Sequence, residues 1–205
     1  MAALPPEYVP TRNALHAVAE HVMGAASYAA IQRIGLRANE SGFATQDLNG
    51  HTLTLSGPFL TDGDRSVALP GSTLRGVADW AGIVPGAPAA VYTPTTPLDL
   101  DAPLAIDAEC AVMVGEWFAG MQIVLTSVFP NEVIQLWPEH FDLATSVDEA
   151  NYGASPGDEH ISEPYIYYGP WSGGFTPMPY SELVKAGNPM AAAEGFFQRG
   201  KRLFG

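Results

Sequence analysis

Asn49-Gly-His-Thr-Leu-Thr-Leu-Ser56 is the stretch whose reading decides the fold class. Asn49-Gly50 is a two-residue turn signal, and from His51 polar and apolar residues alternate with period two. That alternation sets Leu53 and Leu55 on one buried face of a strand. Upstream, Ile31 to Arg37 alternates loosely, Asn39-Glu-Ser-Gly42 forms a turn cluster, and Phe43 to Gln46 can pair back. Downstream, Thr61-Asp-Gly-Asp64 turns the chain into Arg65 to Leu69. Together these segments predict an antiparallel meander of about four strands.

On either side the period changes to that of a helix. Leu15, Val18, Ala19, Val22 and Met23 fall on one face and predict a helix over 13–30, capped by Asn13. His16 and His21 are five apart, so ordinary helical geometry leaves them as separate, partly exposed residues. Ser72 caps a short helix to Ala81, and a proline-rich run from 82 to 103 then wraps the surface or covers a site. Asp107 caps a helix reaching about Val128 that is apolar on most sides and therefore belongs at the centre.

After Pro130 a second β region begins. Val133 to Trp137 and Phe141 to Val147 flank Pro138-Glu139-His140; Asn151 to Ser155 and Tyr165 to Tyr168 follow. A sharp bend at Trp137-Pro138 is expected to aim Glu139 and His140 off the sheet. Pro189 opens a last helix to Leu203 whose final turn holds Arg199, Lys201 and Arg202, which suits the helix dipole. The reading is an α+β fold: antiparallel sheet regions packed with an N-terminal helix, a central apolar helix and a C-terminal helix. One domain over 1–205 is expected, with the two β regions joined as one curved sheet.

Composition bounds the function. Apolar residues make up 47% of the 205, enough for a substantial core. Cys110 is the only cysteine, which rules out an intrachain disulfide and a thiolate zinc cluster and makes a reduced, cytoplasmic setting the default. Residues 1–7 have neither a basic region nor an apolar run, which argues against a signal peptide, and the apolar stretch 117–129 is too short to span a bilayer. The net charge of −13 disfavours nucleic acid and anionic membranes as partners. Between Gly76 and Val184 there are fifteen Asp and Glu residues and no Lys or Arg.

That acidic segment holds the densest polar constellation. Trp137-Pro-Glu-His-Phe-Asp142, Asn151-Tyr-Gly-Ala-Ser-Pro-Gly-Asp-Glu-His160 and Glu163-Pro-Tyr165 carry Glu139, His140, Asp142, Asp158, His160 and Glu163. Imidazole beside carboxylate suits general acid–base work by His140 with Glu139 and Asp142. His140, Asp158, His160 and Glu163 are equally a nitrogen and oxygen donor set for zinc, manganese or non-haem iron, so a divalent metal is a second reading. A hydrogen-bonded structural network is the third. Trp137, Tyr152, Tyr165 and Trp171 belong to an aromatic cluster that either lines a ligand pocket or builds β core. No phosphate loop, dinucleotide fingerprint or nucleophile elbow is present, and Cys110 inside an apolar helix reads as inert.

Arg33-Ile-Gly-Leu-Arg37, Leu136-Trp-Pro-Glu-His-Phe-Asp-Leu-Ala144, Asn151-Tyr-Gly-Ala-Ser-Pro-Gly-Asp158 and Glu163-Pro-Tyr-Ile-Tyr-Tyr-Gly-Pro-Trp171 resemble an uncharacterised family of actinobacterial proteins. The chain is shorter than that pattern between Trp171 and Tyr180. The resemblance implies a bacterial cytoplasmic protein and no particular reaction, and it directs attention to the second β region. Two functions stay open: a small-molecule-binding protein, enzyme or not, with its site in that region, and a non-catalytic interaction or homo-oligomeric protein using an acidic, aromatic surface.

Overall fold

A computed structural model describes residues 4–205; the first three, read above as part of the N-terminal stretch, lie outside it. The N-terminal helix begins at Tyr8, five residues before the expected cap. It runs as α1 (Tyr8–Val18), a π-helical turn (Ala19–Gly24) and α2 (Ala25–Ile31). Pro10 sits in the first turn, where its missing N–H has no intrahelical partner to lose. Asn13 accepts from the Arg12 guanidinium instead of capping the helix.

The chain then forms β1 (Arg37–Asn39), β2 (Gly42–Ala44), β3 (Leu53–Ser56), β4 (Phe59–Asp62) and β5 (Arg65–Ala68), an antiparallel meander in sequence order. It has five strands, one more than the period suggests. Leu53 and Leu55 are buried, as alternation requires. α3 (Leu74–Ala81) is capped by Thr73, not Ser72: the Thr73 hydroxyl accepts from the Gly76 N–H.

α4 (Ala108–Val128) has the expected cap, with Asp107 Oδ1 accepting from the Cys110 N–H at 2.9 Å. Among the described residues α4 is the one helix long and apolar enough to cross a membrane, and it spends those side chains inside the fold: Val114, Phe118, Val124 and Leu125 belong to the core. It passes so close to the first sheet that a Cβ on Gly115 would stand 2.4 Å from the Ser41 carbonyl. Any side chain there would push sheet and helix apart.

The second sheet is β6 (Gln135–Trp137), β7 (Asp142–Val147), β8 (Ala150–Ser155), β9 (Tyr165–Pro170) and β10 (Thr176–Pro179), again antiparallel throughout. α5 (Tyr180–Leu183) and α6 (Pro189–Phe204) complete the chain, with Asn188 capping α6. The two sheets are separate but touch at one bridge. Leu36 and Leu136 exchange backbone hydrogen bonds of 2.8 and 3.0 Å. The core fills the space between the sheets and the helices, and Phe43, Phe118 and Phe141 meet edge to face at its centre.

Candidate functional site

The turn between β6 and β7 carries Pro138, Glu139, His140 and Phe141, so Glu139 and His140 do leave the sheet here. All peptide bonds among the described residues are trans. The Trp137 carbonyl accepts from both the His140 and Phe141 N–H groups, which winds the turn tightly. Phe141 takes a φ of +50°, a conformation that costs a non-glycine residue about 1–2 kcal/mol. Its ring offsets that cost, stacked on His16 at 5.1 Å and packed edge to face on Phe43 and Phe118.

The N-terminal helix carries a row that sequence reading did not single out, which ties it to this turn, to the 156–162 loop and to the strap. Tyr8, Arg12, His16 and Glu20 recur every four residues. Tyr8 donates its hydroxyl to the Pro156 carbonyl, and Arg12 donates to the Asp158 and Ser162 carbonyls. His16 Nε2 lies 2.9 Å from the Pro138 carbonyl. Burial pushes the His16 ring down to about 4, so it is neutral and donates that hydrogen bond. Gly24 lies under Pro138, where a Cβ would meet the proline ring at 3.2 Å.

Glu20 and His21 belong to the π turn and are both buried, which corrects the partly exposed placement expected for His21, while His16 is partly buried as expected. The π turn changes the phase of the helix between His16 and His21. Together Glu20 and His21 fasten the proline-rich strap. Glu20 accepts from the backbone N–H groups of Thr95 and Thr96, at 2.9 and 2.8 Å, and from the Thr96 hydroxyl. His21 Nδ1 accepts from the Ala87 N–H at 3.1 Å, which fixes the remaining proton on Nε2, 3.0 Å from the Thr96 carbonyl. The Thr95 hydroxyl in turn donates to the Glu139 carbonyl at 2.7 Å. The strap therefore connects helix and turn.

At the top of this assembly lie the carboxyl groups. Asp142 is 6% exposed; one oxygen accepts from the Tyr167 hydroxyl, and Oδ1 has no partner among the described residues. Burial raises its carboxyl to about 6, against the lowering pull of the Tyr167 hydrogen bond and His140, while Glu139 pushes it up. Glu139 is raised as well, mainly by burial, and its Oε2 is buried without a partner. The Tyr92 hydroxyl from the strap is a third buried atom with no partner, raised by burial and by the charges of Glu20 and Glu139. Unpaired buried polar atoms are uncommon in folded proteins, and three around one turn mark it out.

Of the expected residues, Glu139, His140 and Asp142 come together. The metal set does not. Both Asp158 oxygens are occupied, one by the Tyr165 hydroxyl at 2.6 Å and the other by the His160 and Ile161 N–H groups. Glu163 binds the Ser181 N–H and hydroxyl. His160 is exposed beside Glu159, and His140 is exposed on its turn. Among the described residues no three His, Cys, Asp or Glu side chains gather as a metal set.

The expected aromatic wall divides too. Tyr165 and Tyr167 share one face, with ring centroids 6.1 Å apart, whereas Tyr152 is on the core face between Phe129 and Tyr168. Trp137 pairs across from Asp142, and Trp171 is 64% exposed with its indole N–H on Asn151. Cys110 is buried, and burial with Asp107 pushes its thiol up to about 11, far from a reactive thiolate. No family model, curated protein or solved structure matches this chain.

Proposed function

We propose that the protein binds a small polar molecule at the Pro138–Asp142 turn and that Asp142 exchanges a proton with it. The observation that carries this reading is the buried, unpartnered Asp142 Oδ1 on a carboxyl raised to about 6. An acid or base with a pKa near the working pH is the most effective proton-transfer group, and burial is the usual way to make one from an aspartate. Tyr167 orients the carboxyl, Glu139 supplies a second unpaired oxygen, and His140 is exposed on the same turn. With no Lys or Arg between residues 76 and 184, the pair favours a ligand that brings N–H or O–H donors, an amine or a hydroxyl compound. We extend this proposal to a cytoplasmic location and to membership of the actinobacterial family that the motifs resemble.

The test is a thermal-shift screen of small amines, amides and polyols against the wild type and Asp142→Asn. The expected result is at least one compound that stabilises the wild type and not the variant. If every stabilising compound acts equally on both, the turn is not the binding site.

A second reading, an interaction or homo-oligomeric surface, rests on the exposed Trp171 (64%) and Phe175 (54%) flanking the Gly173-Gly174 loop at the β10 edge. Sedimentation of the wild type beside Trp171→Ser distinguishes it, because a dimer built there dissociates in the variant.

A further inference from the structure

A groove of about 280 Å³ runs between α4 and the C-terminal helices and shares no lining residue with the Pro138–Asp142 turn. Met113, Trp117 and Met121 of α4 face Tyr180, Leu183 and Met190 across it. Ligand sites are typically concave, mostly apolar and furnished with a few polar groups, and this volume sits near the small end of their range, about 300 Å³.

One polar group here lacks a partner. Trp117 is only 8% exposed, and its indole N–H finds no acceptor among the described residues. A buried N–H left unpaired is unfavourable, so an occupant that accepts from it gains more than its apolar contact alone. Tyr180 stands edge to face with that indole at 6.0 Å and 89°, lines the same groove and is itself 37% exposed.

We propose that the groove binds an uncharged aromatic molecule with one hydrogen-bond acceptor, which receives the Trp117 indole N–H. Thioethers make favourable contacts with aromatic rings, and three methionines line the groove. Among the described residues no Lys or Arg lines it and Glu116 is its one charged residue, which disfavours a carboxylate or phosphate. This site is independent of the proton-transfer site proposed above.

Gly120 supplies the means to block it. A Cβ there meets only the Met190 thioether, at 3.7 and 4.0 Å, so Gly120→Leu is the substitution aimed at filling the groove. Acetanilide, toluene and benzoate are titrated into protein labelled at the methionine methyls and indole nitrogens and followed by NMR. Acetanilide is expected to move the Trp117 indole proton and the methyls of Met113, Met121 and Met190 saturably. Toluene should move the methyls without the hydrogen-bond shift of the indole, and benzoate should bind at least tenfold more weakly than acetanilide. Gly120→Leu should abolish acetanilide binding, with Met190→Trp filling the groove from its partly exposed wall should the first variant misfold. No saturable shift with acetanilide, equal binding by the filled variants, or an unmoved indole proton would each overturn the proposal.

Discussion

Asp142 gives one carboxyl oxygen to the Tyr167 hydroxyl and buries the other with no partner, and this asymmetry links the fold to the proposed chemistry. A raised carboxyl pKa means that the folded state holds a proton which the unfolded state releases. Its contribution to stability is fully present below the unfolded value near 4 and is lost as pH rises through about 6. Urea unfolding at pH 4.5 and pH 7 should therefore show wild type losing stability relative to Asp142→Asn by on the order of 2 kcal/mol as pH rises. At pH 7 the Asn variant should equal or exceed wild type, the usual signature of a residue kept for function at the expense of stability.

Removing the donor should move the carboxyl further. Tyr167→Phe removes the side-chain donor that lowers the Asp142 carboxyl while burial persists, so its midpoint should rise above about 6. A carboxyl carbon titration of the variant reads this directly. A lower midpoint would mean that water enters when the hydroxyl leaves.

His16 acts in the opposite sense. Its ring is lowered to about 4 by burial, so its contribution is full above the unfolded value near 6.5 and lost as pH falls through about 4. The stability difference between wild type and His16→Gln should shrink between pH 7 and pH 4. Because Asp142 and His16 titrate in overlapping windows with opposite signs, only such difference curves separate them.

Glu20 should control the strap. Glu20→Ala leaves the Thr95 and Thr96 N–H groups without acceptors and should cost about 3 kcal/mol. Hydrogen exchange should speed up at Thr95 and Thr96 and at Ala87, which His21 holds, well before the α4 core is affected. Uniform acceleration across the chain would show that the strap is not a separate unit.

The sequence shows the scaffold more clearly than it shows the strap. Asp107 and the long apolar run after it define α4 almost to the residue, and alternation at Leu53 and Leu55 identifies the first sheet. β10 was hidden by Pro177 and Pro179, yet alternate prolines suit an edge strand, since both missing N–H groups fall on its unpaired side. Glu139, His140 and Asp142 were legible because one short motif carries all three. Glu20, His16 and Tyr92 were not, although Tyr8, Arg12, His16 and Glu20 form a visible four-residue rhythm. Their meaning depends on where the strap lands and on a π turn, and neither leaves a periodic trace in the residues.

The central claim, that the Pro138–Asp142 turn holds a carboxyl prepared for proton transfer, is tested most directly by titrating the Asp142 side-chain carbon by NMR from pH 3 to pH 9. The account predicts a midpoint near 6 in the folded wild type. A midpoint near 4, that of an ordinary solvated aspartate, would contradict it.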